Sequence, residues 1–428
     1  MSDSYGTDPV LPLPAELLIH IFQLATANRC RDMDRYVDLP PFESIESGRQ
    51  EEDFDATLKT KHSIFLACST FNRLTTAIMY EDIRVGRGAA ALADALERSE
   101  AASPGFGIGR LVKRAVLFPL ASEASGAGRI CKSTLRILAC CPNLRALSRH
   151  RGSIPHDGEC EAQQSCSPHQ EPNLHSLERV DWASCPADDP PFVAEMPHSV
   201  WASRSLKTLS VGVREWSRFT GMQETEIVNV FSYIQTLRVR SIDAFGLPGQ
   251  RFFTLELPSF RRLILDQPDS LYALFSVIQY GDKVNTIELG LHSGFLEHDY
   301  IVVLLIYCPN VTDLYFPVFT TFITRVSGFS YNVRHIALHA ATEEGFAVDE
   351  AWQWKHLAGH FEALCGNESR FTKLERISLH GAEWRNFVGD PRFAPSVRCF
   401  HSKGVLLSIE DDTARLLFEQ ANFSERAV

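Results

Sequence analysis

One spaced pattern limits the folds open to this chain more than any other feature of it. From residue 112 onward an apolar residue, two variable ones, a second apolar residue, one variable one and a third apolar residue recur at intervals of 22 to 41 residues. Clear copies begin at Val112, Leu144, Leu177, Leu206, Ile234, Phe260, Val284, Val311, Val333 and Leu374, and a degraded copy begins at Val397. Alternation in the second half of each copy suits a short strand, whose successive side chains point to opposite faces. Helical stretches fall between copies, at 133–141, 224–234, 270–280, 299–308 and 350–365. A strand–turn–helix unit of this size cannot bury its apolar face alone, whereas stacked units share one core and leave a curved parallel sheet open on its concave side. The expected fold is therefore α/β, an irregular solenoid over residues 86–428 with a capping helix at 409–423. The alternative is chance recurrence of apolar triplets in an ordinary α/β domain. The turn shared by Cys141-Pro142-Asn143 and Cys308-Pro309-Asn310 speaks for repetition.

The repeat length is similar to that of leucine-rich repeats, although the asparagine that such repeats place after the strand is missing and the lengths drift. Acidic residues outnumber basic ones by 53 to 42, so a surface built to coat duplex nucleic acid is not expected. The longest apolar run, 300–308, is less than half of the roughly 20 residues that span a bilayer. The start, Met1-Ser2-Asp3-Ser4-Tyr5-Gly6, lacks the basic and apolar regions of a secretory signal. Eleven scattered cysteines then read as reduced residues, and the expected compartment is cytoplasm, nucleus or both.

Motifs for chemistry are weak. Ser125-Gly126-Ala127-Gly128-Arg129-Ile130-Cys131-Lys132-Ser133 is placed like a phosphate-binding loop, but Cys131 stands where close approach to phosphate requires glycine. Gly105-Phe106-Gly107-Ile108-Gly109 precedes a strand and lacks the dinucleotide spacing. His156, Cys160, Cys166 and His169 could supply zinc ligands, yet their spacing matches no tight knuckle, and the polar stretch 149–173 reads as a long loop. No catalytic residue, cofactor or metal is assigned.

At the other end of the chain, Leu11-Pro12-Leu13-Pro14-Ala15-Glu16-Leu17-Leu18-Ile19-His20-Ile21-Phe22-Gln23-Leu24-Ala25 predicts a short helix opened by Pro14 and Glu16. Its apolar band, Leu17, Leu18, Ile21, Phe22, Leu24 and Ala25, is wider than one buried stripe needs, so two apolar neighbours are expected. One is a second helix over 63–80. Leu13-Pro14-x-Glu16-Leu17-Leu18-x-x-Ile21-Phe22, followed by Phe71-Asn72-Arg73-Leu74 and Tyr80-Glu81-Asp82-Ile83, resembles an F-box, in particular the F-box-like proteins numerous in mushroom-type fungi. The resemblance departs from the usual pattern at Phe71, where many F-boxes have Trp, and in a polar insertion over 28–61, which reads as a solvated excursion.

What the resemblance implies is an N-terminal helical bundle over 11–85, behind a flexible tail at 1–10, that docks on the Skp linker of a cullin ubiquitin ligase. Leu13, Pro14, Leu17, Leu18, Ile21 and Phe22 would make that contact. The repeats would then capture a protein substrate without catalysis. Outward positions of the repeat carry Arg114, Arg179, Arg238, Arg240, Arg262, Arg376 and Lys403, with His150, His335, His339, His380 and His401, against Asp181, Asp266, Glu288 and Asp313. That reversal of the overall charge makes an acidic or phosphorylated partner segment the expected ligand of the concave face. The competing readings are a repeat interaction scaffold whose first helices only cap the solenoid, with Leu17 and Ile21 buried, and an enzyme on an α/β domain with a pocket near Lys132 and Ser133.

Overall fold

The computed structural model describes residues 13–26, 39–86, 88–118, 132–149, 172–182, 200, 203–211, 232–240, 257–268, 281–323, 330–342, 349–366 and 368–410. Outside them lie the tail at 1–10, the candidate zinc residues His156, Cys160, Cys166 and His169, most of the glycine-rich stretch 125–133, the helices expected at 270–280 and over most of 224–234, and residues 411–428.

Twelve parallel strands form one sheet in strict sequence order. They are β1 (Asp82–Val85), β2 (Arg114–Leu117), β3 (Ala146–Arg149), β4 (Arg179–Trp182), β5 (Thr208–Val211), β6 (Thr236–Val239), β7 (Arg262–Leu265), β8 (Thr286–Leu289), β9 (Asp313–Pro317), β10 (His335–His339), β11 (Arg376–His380) and β12 (Leu406–Ile409). Parallel neighbours in chain order require a crossover of the same kind after every strand, which is the architecture of a solenoid. All ten clear copies of the repeat end on a strand. Their leading residues, from Val112 to Leu374, are buried, and so are the inward residues Leu147, Val180, Leu209, Leu263, Ile287, Leu314, Ile336 and Ile377.

The helices on the apolar side are α4 (Ala89–Ala102), α5 (Lys132–Ala139), α6 (Tyr300–Tyr307), α7 (Glu350–Cys365) and α9 (Ala394–Ser402), with a short α8 (Arg385–Val388) before the last. One continuous core joins them to the sheet, from Ile83 on β1 to Ile409 on β12. Two of these helices have side-chain N-caps: Asp299 accepts from the Val302 N–H at 2.9 Å and Asp349 from the Trp352 N–H at 2.6 Å. The Cys-Pro-Asn turns stitch neighbouring repeats together. Asn143 donates through Nδ2 to the Arg110 carbonyl at 2.8 Å, and Asn310 does the same to the Asp282 carbonyl at 2.7 Å.

Three further helices precede the sheet: α1 (Ala15–Ala25), α2 (Glu43–Ala67) and α3 (Ser69–Tyr80). The single helix expected over 63–80 is in fact broken at Cys68, whose extended backbone ends α2 and whose sulfur accepts from the Phe71 N–H to start α3. Residues 43–61, expected as part of a solvated excursion, belong to the 25-residue α2, which spans about 37 Å at 1.5 Å per residue. Two strand assignments also change. Residues 82–85 pair with β2 and join the sheet, so the helices end at Tyr80 and the sheet begins before residue 86. The degraded copy at Val397 is helix α9, and the last strand lies just beyond it at β12. No helix among the described residues is long and apolar enough to cross a membrane.

Candidate functional site

Two surfaces carry the residues singled out by the sequence. On α1, side chains at 18 and 22 lie one helical turn apart, and those at 17, 21 and 24 fall on a second stripe about a third of a turn away, with Leu13 just ahead of the helix. The structure separates these stripes sharply. Leu18 and Phe22 are 7% and 6% exposed and pack with Ile78 against Ile64, Phe71 and Leu74. The Phe22 and Phe71 rings meet edge to face at 4.8 Å between centroids. By contrast Leu13, Leu17 and Ile21 are 44%, 51% and 46% exposed, and Pro14 is open as well. Of the six candidate docking residues, Leu18 and Phe22 are therefore consumed in holding α1 on α3, and Leu13, Pro14, Leu17 and Ile21 remain available. Leu24, which the sequence placed only in the general apolar band, extends the open stripe.

The concave face is different in every respect. In register across the sheet its first column runs Arg179, Thr208, Thr236, Arg262, Thr286, Asp313, His335 and Arg376, and its second runs Asp181, Ser210, Arg238, Ile264, Glu288 and Tyr315. The four acids counted among the outward positions each answer a base. Arg179 pairs with Asp181 at 2.6 Å, the Arg238 Nε donates to both Asp266 oxygens at 3.1 and 2.9 Å, Arg262 pairs with Glu288, and His335 Nδ1 lies 3.3 Å from Asp313. Arg240 donates to the Ser210 hydroxyl at 2.8 Å, and Arg376 reaches Ser408 at 3.3 Å and Glu410 at 3.5 Å. The expected excess of positive charge is thus largely neutralised within the face.

Two of the expected bases are not on this face at all. His401 lies on α9 and Lys403 caps that helix, where its ammonium donates to the Gly366 carbonyl at 2.7 Å. His339 is buried and accepts from the Ala341 N–H at 3.0 Å. The chain leaves His380 through Gly381 at φ +94°, where a Cβ would stand 2.6 Å from the His339 ring, so only glycine fits there.

The largest surprise is what fills the groove. Leu39-Pro40-Pro41-Phe42-Glu43, the strap that leads into α2, lies on the concave face. The Phe42 ring has no exposed surface and stands 5.1 Å from His339, 5.4 Å from His380 and 6.4 Å from Tyr315, ring centre to ring centre. Its N–H donates to Glu288 Oε1 at 3.0 Å, and Arg262 donates to the Leu39 carbonyl. The next residue, Glu43, takes a two-pronged contact from Arg179 at 2.7 and 3.1 Å. Adjacent residues thus touch β4 on one side and β9 to β11 on the other. In a flat sheet those strands would lie more than about 20 Å apart at about 4.8 Å per strand, so the sheet must curl around the strap.

Burial sets the electrostatics. It disfavours the charge on Arg179, but Asp181 and Glu43 outweigh this and hold the guanidinium above its ordinary value. Burial likewise works against Arg238, and Asp266 more than restores it. Burial pushes the Glu288 carboxyl up despite Arg262 and the Phe42 N–H. It also pushes His380 down to about 4, with His335 and Arg376 adding to the effect, so His380 is neutral at pH 7.

No family model and no curated protein matches this chain. What the two faces do has to follow from their own chemistry. The open stripe offers apolar area to a partner. The covered groove offers an aromatic socket, one buried arginine for a carboxylate, and a paired donor and acceptor for a peptide main chain.

Proposed function

We propose that this chain is a substrate-recognition adaptor of a Skp–cullin–F-box type ubiquitin ligase. The α1–α3 bundle serves as the F-box-like module that docks on the Skp-type linker and through it on the cullin scaffold, and the leucine-rich-repeat-like solenoid holds a protein substrate on its concave face. The observation that carries the reading is the division of α1. A helix that merely capped the solenoid would bury Leu17 and Ile21, yet both stand about half exposed beside Leu13 while Leu18 and Phe22 are sealed against α3. A row of large apolar side chains left open on one helix face is costly to keep in water and marks a partner surface. The adaptor does no chemistry of its own and works with neither cofactor nor metal.

Co-purification with a Skp-type linker tests this. The wild-type chain should co-elute with the linker, and the double variant Leu17→Asp, Ile21→Asp should not, while its circular dichroism stays unchanged because neither side chain is part of the bundle core. A folded wild-type chain that ignores the linker would leave a repeat interaction scaffold and remove the ubiquitin reading.

A further inference from the structure

We infer that the concave face is a peptide-binding groove for a protein segment in which an aromatic residue is followed directly by a carboxylate, and that Leu39–Glu43 is its displaceable in-chain occupant. The inference rests on the concave face being the recognition surface but not on linker docking.

The strap is held in the way a bound peptide is held. Two of its four anchors go to main-chain groups, the Leu39 carbonyl to Arg262 and the Phe42 N–H to Glu288, and any peptide can supply these. The other two read side chains, in addition to the burial of Leu39. A closed aromatic socket takes the Phe42 ring, and the fork of Arg179 takes the Glu43 carboxylate, a pairing whose planar geometry favours carboxylate over a neutral group. Main-chain bonds supply general affinity and side-chain pockets supply choice, which is the division of labour in peptide recognition.

The groove is complete without the strap. Arg179 keeps Asp181 and Arg262 keeps Glu288, so withdrawal of Leu39–Glu43 leaves no isolated arginine behind. The strap itself is handicapped. Phe42 sits at φ 63°, the left-handed region that a bulky side chain rarely adopts, and it starts α2 without any side-chain cap. The strap retains one advantage, its high local concentration, because it is tethered to α2. A partner must therefore compete with it, and the strap sets a threshold for capture.

The probe is a fluorescein-labelled peptide with the sequence of residues 38–46, Asp-Leu-Pro-Pro-Phe-Glu-Ser-Ile-Glu. Anisotropy is followed against the full chain, wild type and Phe42→Ala, Glu43→Ala. The double variant should bind the peptide at least 100-fold more tightly than wild type. Changing the peptide's phenylalanine to alanine or its first glutamate after it to glutamine should lose at least tenfold. A folded double variant that takes no peptide, or wild type and variant binding alike, overturns the inference. Amide exchange in the unaltered chain decides the case even if the double variant does not fold. The Phe42 amide should exchange at least 100-fold faster than those of Leu314 and Ile336, and equal protection would make the strap permanent core. Neither readout uses the linker, so failure here is separate from failure of docking.

Discussion

Leu17 on α1 and Phe42 in the groove are both large apolar side chains in the first tenth of the chain, yet one is half open to solvent and the other has no exposed surface. Leu17 sits among open leucines and an isoleucine. Phe42 sits at the centre of a charged face in which each acid has met a base. The difference teaches that exposure and charge are separate signals: the surface with the conspicuous charges is internally satisfied and covered, and the apolar stripe of α1 is the one left open.

The comparison can be broken most easily through stability. Truncating a fully buried phenylalanine removes its burial and leaves a cavity, so Phe42→Ala should cost about 3–5 kcal/mol in urea unfolding. Leu17→Ala should stay within about 1 kcal/mol, because half of that side chain is in water already. Equal costs at the two positions would erase the distinction.

The charges sharpen it further. Arg179 has a side chain only 8% exposed, and removing it strands Asp181 and Glu43, so Arg179→Ala should cost about 3 kcal/mol. Arg376, 48% exposed and 3.5 Å from Glu410, should cost under about 0.5 kcal/mol when changed to alanine. A double-mutant cycle on Glu43 and Arg179 should show coupling, since both arms of the guanidinium meet that one carboxylate.

Acid gives a smaller effect with a definite sign. His380 is held to about 4 against an ordinary 6.5, so the unfolded chain binds its proton first as pH falls. The stability it contributes is present above pH 6.5 and is lost progressively toward pH 4. Glu288, pushed up by burial, works in the opposite sense. His380→Asn should therefore flatten the loss of stability between pH 7 and pH 5 measured by urea unfolding. An unchanged slope would mean that His380 is not the group sensed beneath Phe42.

Much of the fold was legible because the repeat pattern is physical. Apolar alternation suits a strand with a buried face, and the ten clear copies each end on a strand. The copy at Val397 failed for an equally physical reason. Val397 and Phe400 are three apart, a spacing that a helix also satisfies, and the deciding third position is the polar Ser402. The true last strand carries Leu407 and Ile409 but has Gly404 in the leading place, so the pattern hid it. At β1, Tyr80-x-x-Ile83-x-Val85 fits the repeat, but Tyr80 also ends α3 and was absorbed into the helical reading.

The site was legible only in its parts. The pattern at Leu17, Leu18, Ile21 and Phe22 announced a helix with two apolar sides, though not which side would be open. The concave columns gave the right acids and bases for the strands, but counting charges could not show that Arg238 finds Asp266 on the next repeat. The strap was invisible for a different reason. Phe42 and Glu43 lie in a polar stretch without period, and their partners are 246 and 136 residues away. Nothing local distinguishes such a segment from a loop.

The most direct measurement of the central claim is amide exchange of the full chain with and without a Skp-type linker protein. Docking on the open stripe predicts slowed exchange confined to α1 and its neighbours in α2 and α3, with the strands β4 to β11 unchanged. Binding that leaves α1 unaltered, or that protects the concave strands instead, would contradict it.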